Sequence, residues 1–69
     1  MMVQHIVLAN EQGLTFDKLN CSNDPITLDE ALEWCSGRGR EYTALLETTT
    51  GAVHFYSFSG DSYKFILHL

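Results

Sequence analysis

Tyr42-Thr-Ala-Leu-Leu-Glu-Thr48, Ala52-Val-His-Phe-Tyr-Ser-Phe58 and Tyr63-Lys-Phe-Ile-Leu-His-Leu69 are three runs rich in aromatic and β-branched residues. Thr49-Thr50-Gly51 and Ser59-Gly60-Asp61-Ser62 separate them. Short runs of this composition between Gly, Ser and Asp clusters read as strands of antiparallel hairpins. A three-residue loop ending in glycine makes a hairpin with a bulge, and Gly60-Asp61, with glycine leading, makes a two-residue turn. Side chains alternate along a strand, so each turn also sets which residues share a face. With Gly60-Asp61 as the turn, Phe58 lies opposite Tyr63, Tyr56 opposite Phe65 and His54 opposite Leu67. The other loop places Leu46 beside His54 and Ala44 beside Tyr56. One face then collects Tyr42, Ala44, Leu46, Tyr56, Phe58, Tyr63, Phe65, Leu67 and Leu69.

Upstream, residues 2–9 (Met-Val-Gln-His-Ile-Val-Leu-Ala) read as a further strand. Asn10-Glu11-Gln12-Gly13 is turn chemistry, and Leu14 to Leu19 is a short strand that pairs back. After the polar loop Asn20 to Pro25 comes Thr27-Leu28-Asp29-Glu30, a capping box. The threonine hydroxyl accepts from the Glu30 amide, and the glutamate accepts from the Thr27 amide. Leu28, Ala31, Leu32 and Cys35 form one helical stripe, and Ser36-Gly37 is expected to stop it with Gly37 as a left-handed cap. Such a helix has about nine residues, too few to stand alone in water, so it must rest on a sheet. The order is β-β-α-β-β-β. That is a single small α+β domain over residues 1–69, an antiparallel sheet of four to five strands with one short helix on one face.

The other face of that sheet ought to be polar if water covers it. Instead Leu45, Phe55 and Ile66 become cross-strand neighbours there, with Val53 beside them. One short helix cannot cover both faces. Burial of such a cluster is worth about 25 cal/mol per Å², so it reads as a protein interface. Two other readings stay open at this point. A one-residue slip in the Thr49–Gly51 loop would scatter the cluster, and the N-terminal strands could fold over it to close a small barrel.

Composition bounds the function classes. Sixty-nine residues, 7.8 kDa, are too few for a barrel enzyme or a dinucleotide-binding fold. An apolar share of 45% is too high for a disordered tail. Nine Asp and Glu stand against four Lys and Arg, a formal net charge of −5. Arg38 and Arg40 are the one cationic pair, which argues against direct nucleic-acid binding, since phosphate contacts need clustered cations. The net charge instead favours another protein with a basic surface. No apolar run approaches the ~20 residues of a membrane span, and Met1 to His5 lacks a signal-peptide pattern. Two cysteines cannot build a secreted disulfide framework. A cytoplasmic protein is expected; whether Cys21 and Cys35 pair is open.

No constellation carries catalysis. Cys35-Ser-Gly-Arg-Gly-Arg40 differs from a phosphatase phosphate loop, which requires arginine where Glu41 stands and a cysteine at a helix N-terminus. His5, His54 and His68 lie on separate segments without metal-ligand spacing, and the register puts His54 and His68 on opposite faces. No catalytic residue, metal or cofactor is assigned. A second candidate surface is the acidic helix edge Asp29, Glu30 and Glu33, with Trp34 beside it as a large flat anchor. The reading is a non-catalytic interaction module that masks a basic, nucleic-acid-handling site, with a homodimer as a further possibility. In size, acidity and layout it resembles small phage-encoded inhibitors, anti-CRISPR proteins among them, a likeness that no motif carries. The rivals are an accessory or antitoxin-like subunit stable only in its complex, and a thiol- or His-dependent small enzyme.

Overall fold

The computed structural model describes residues 1–38 and 42–69. It contains β1 (Met2–Ala9), β2 (Thr15–Asn20), β3 (Ile26–Thr27), α1 (Leu28–Arg38), β4 (Thr43–Thr48), β5 (Val53–Ser59) and β6 (Ser62–His68). All strands pair antiparallel in one open sheet of order β2-β1-β4-β5-β6, and β3 also pairs with β1. The architecture is the α+β one expected, with a two-residue strand more than was read from the sequence. The barrel alternative is excluded, because β2 and β6 are free edges.

The helix forms where its cap directs. Glu30 N–H donates to Thr27 Oγ1 at 3.2 Å, and Thr27 N–H donates to Glu30 Oε1 at 3.0 Å. Asp29 and Glu30 occupy the first turn and Arg38 the last, in the sense the helix dipole favours. The helix does not stop at Gly37. It continues to Arg38, and positive φ occurs at Gly13, Gly51 and Gly60 but not at Gly37. The expected left-handed cap is therefore absent at that position, and Gly39, Arg40 and Glu41 lie outside the described residues. Gly51 (φ 89°) and Gly60 (φ 72°) do make the β4–β5 and β5–β6 turns, where a side chain would be strained.

α1 lies against one sheet face. Ala31 and Cys35 meet Val3, Ile6 and Leu8 from β1, Ala44 and Leu46 from β4, Tyr56 from β5 and Tyr63 from β6, all buried. Leu19, Ile26, Leu28, Leu32, Trp34, Tyr42 and Phe58 complete the layer. At the end of this face nearest the β1–β2 turn, the Phe16 ring stacks on Tyr42 with centroids 4.3 Å apart.

The β4–β5 register is the expected one, with Leu46 opposite His54 and Ala44 opposite Tyr56. The slipped loop is thus excluded. On β5–β6, Phe58 faces Tyr63 and Tyr56 faces Phe65 as expected, but a shift between Phe55 and Tyr56 changes everything beyond. His54 faces His68 instead of Leu67, and Phe55 faces Leu67. Ile66 is the extra residue with no partner in this register, so Leu67 takes the cross-strand place that Ile66 was expected to fill.

Leu45 and Leu46 test this assignment of faces. Leu46→Ala removes a fully buried side chain and is expected to cost about 2–5 kcal/mol in urea unfolding. Leu45→Ala, next in sequence but on the face away from α1, should cost under about 1.5 kcal/mol. Equal losses would contradict the alternation.

Candidate functional site

The face away from α1 is built by the same alternation that builds the core. Since Ile6, Leu8, Ala44, Leu46 and Tyr56 point to the helix, Val7, Leu45, Phe55 and their neighbours point the other way. The pairing aligns Val7, Leu45, Phe55 and Leu67 in one row across β1, β4, β5 and β6. The next row runs His5, Glu47, Val53, and Leu69 joins it because its N–H donates to Val53 O at 2.8 Å. On the other side lie Ala9, Thr43, Ser57 and Lys64. Val7, Leu45, Val53 and Phe55 are half-buried by their sheet neighbours alone, whereas Leu67 and Leu69 are 45% and 78% exposed. Among the described residues α1 is the only element outside the sheet, and it covers the opposite face.

Of the four side chains expected here, Leu45, Val53 and Phe55 lie together on this face. Ile66 stands at the bulge, 48% exposed, and Leu67 occupies its place. Val7 and Leu67 were missed. Val7 was legible: Ile6-Val7-Leu8 is apolar at both parities, which a strand with one wet face would not need.

Charge is unevenly spread over the molecule. Among the described carboxylates, Glu47 alone lies on the outer face, and it is hydrogen-bonded to Nδ1 of its cross-strand neighbour His5. Lys64 sits opposite Ser57 and Lys18 opposite Val7, so two ammonium groups share that face. Beside Lys18, a hollow is lined by His5, Ile6, Val7, Lys18, Leu19 and Asn20. Asp29, Glu30 and Glu33 are on α1, and Glu11, Asp24 and Asp61 are in loops and turns. Asp17, paired with the inward Leu8, meets the Arg38 guanidinium at 3.4 Å. The acidity belongs to the helix side and the turns.

On that helix side, Glu30, Glu33, Trp34, Gly37 and Arg38 line a shallow depression. Trp34 packs against the core margin and is half-buried, with the Arg38 guanidinium carbon 4.5 Å from its ring centroid. Hydrogen bonds from the Thr27 amide and hydroxyl hold the Glu30 carboxyl below the usual glutamate range, so it stays charged. The expected acidic edge is therefore present as a surface, but its tryptophan already has a cationic partner from its own helix.

His54 and His68 share the inner face, their rings 5.7 Å apart with Phe65 nearby, contrary to the expectation of opposite faces. No group of three or more His, Cys, Asp or Glu suited to a metal occurs among the described residues. Both cysteines are free thiols. Cys35 is fully buried, and desolvation pushes its thiol from 9.0 up to about 12, which is the opposite of nucleophile activation. No helix among the described residues is long and apolar enough to cross a membrane. Compared with protein-family models, curated proteins and solved structures, the chain matches none of them.

Burial likewise raises the Tyr63 phenol from 10.0 to about 12, with Cys35 and Tyr42 adding repulsion. Both groups are held neutral by the fold. Their contribution to stability is complete below pH 9 and is lost as the pH climbs through the folded-state values near 12. Unfolding free energy should accordingly fall between pH 9 and pH 12, and Cys35→Ala should flatten that fall. In the folded chain at pH 8, a disulfide reagent should leave Cys35 unmodified until denaturant is added. Equal alkaline loss in Cys35→Ala, or rapid labelling of Cys35, would refute the burial assigned to it.

Proposed function

We propose that this chain is a non-catalytic protein-interaction module whose outer sheet face is its docking surface. The supporting observation is the row Val7, Leu45, Phe55 and Leu67, which crosses four strands with no second layer over it among the described residues. A contiguous apolar patch on a small domain is the usual mark of an interface, whereas isolated exposed apolar residues are not. The helix side supplies the second half of the reading. Asp29, Glu30 and Glu33 present an exposed acidic edge, and a chain of net charge −5 is steered toward basic surfaces. Such a module acts in the cytoplasm as an inhibitor or regulator, by covering a basic surface on a larger protein that otherwise handles nucleic acid. The acid edge sets the encounter, and the apolar face, in the complex or with another chain, supplies buried area. Catalysis has no support in the arrangement: the buried thiol is pushed toward its neutral form, and the imidazoles are not organised around a nucleophile.

The reading is tested by capture from the cells that express the chain, comparing three tagged proteins. Wild type should retain a stoichiometric protein with a basic surface. The Glu30→Lys, Glu33→Lys variant should lose it in a salt-dependent manner, and Leu45→Asp should weaken retention or destabilise the assembly. Identical retention by all three would overturn the proposal.

A further inference from the structure

The acidic edge and the apolar face point away from each other, and this decides what the apolar face suits. We infer that a second copy of this chain covers the outer sheet face, the two sheets packing face to face with the helices outermost. The inference rests on the reading of that face as an interface and adds the identity of its occupant.

A basic partner is a poor match for this face. Among the described residues its fixed charges are Lys18 and Lys64 against a single carboxylate, Glu47, which His5 already engages. Two dispersed lysines are equally too few for a nucleic-acid surface. What remains is apolar and close to neutral: Val7, Leu45, Val53, Phe55, Leu67 and Leu69. A surface of that kind is complementary to itself, which an isologous two-fold dimer requires.

The net charge of −5 ordinarily opposes self-association. Here the acidic helix edges would sit on the far sides of two sheets packed about 10 Å apart, beyond the ~8 Å over which salt screens exposed charges. The acids therefore do little to prevent this one mode of pairing, while they oppose pairing through the helix side.

The area puts such a dimer at the weak end of specific association. The molecule extends 28 × 22 × 21 Å, so a sheet face offers on the order of 500 Å² in projection. Two such faces approach the lower limit of about 1,200 Å² for specific interfaces. The hollow at His5, Val7, Lys18 and Asn20 gives one copy relief into which a large side chain of the other can pack. An association of this size is concentration-dependent.

Sedimentation equilibrium of the purified full chain, from low micromolar to near-millimolar concentration, tests the inference. A reversible monomer–dimer equilibrium is expected, little affected by added salt because the interface carries few charges. Leu45→Asp should raise the dissociation constant at least about tenfold. Leu67→Lys, at a position 45% exposed and hence safe for folding, should do the same with an unchanged circular dichroism spectrum. NMR spectra on dilution should shift at Val7, Leu45 and Phe55 and not at Leu28 or Leu32. A strict monomer, dimerisation as in wild type by Leu67→Lys, or dilution shifts confined to α1 would each overturn it. A monomer whose cellular partner is lost on Leu45→Asp would remove the second copy and leave the interaction module standing; a monomer whose retained proteins ignore Leu45→Asp would remove both.

Discussion

The pairing of β1 with β4 holds the molecule together. It joins the N-terminal hairpin, which is marginal alone, to the C-terminal three-strand meander, so that one continuous face of the sheet is presented to α1. Along this seam Val3 faces Thr48, Ile6 faces Leu46 and Leu8 faces Ala44, and all six side chains are buried. The segment between the two strands contains α1, which folds back on the seam through Ala31 and Cys35. The helix has 11 residues, too few to persist in isolation. Its capping box lowers the cost of forming it, and the seam supplies the apolar surface that keeps it. The same pairing creates the outer row, since every inward residue on β1 and β4 obliges its neighbour to face outward.

What was legible in the sequence and what was not divides by the range of the interaction. Gly60-Asp61 and Thr49-Thr50-Gly51 are local turn chemistry, and both hairpins formed as read. Thr27 and Glu30 are three residues apart, and their reciprocal hydrogen bonds are present. The shift between Phe55 and Tyr56 has no such signature. One extra residue in β6, Ile66, has no glycine or proline to announce it, yet it moves Leu67 outward and brings His68 to His54. A bulge leaves one residue unpaired and resumes the ladder with the faces exchanged, so an alternation read through it fails beyond that point and nowhere before. Gly37 shows the converse error. Glycine is permitted to end a helix, but α1 still runs one residue further, to Arg38, whose side chain reaches Trp34 and Asp17.

The outer face was partly legible for the same reason. Leu45, Val53 and Phe55 precede the bulge and lie where alternation puts them. Val7 was overlooked because the N-terminal strand was read as one apolar run without being divided into two faces. In an antiparallel sheet with one wet side, β1 would alternate polar and apolar; Ile6, Val7 and Leu8 in succession instead put apolar side chains on both faces of the strand. The helix covers one of those faces.

Net charge proved a poorer guide than its distribution. A formal −5 over 69 residues invites a basic partner for the molecule as a whole, and the apolar cluster invites burial, but the net figure does not say how the two lie in space. The fold separates them. Carboxylates tolerate the helix and the turns, where they cap, stabilise the dipole and remain hydrated. On the broad sheet face each would have to be paired if covered, and the one that is there, Glu47, has His5 against it. His5 lowers the cost that Glu47 would carry if the face were covered, since an unpaired charge in a closed interface is destabilising, whereas Lys18 and Lys64 stand exposed on the edge strands β2 and β6, where their ammonium groups stay hydrated.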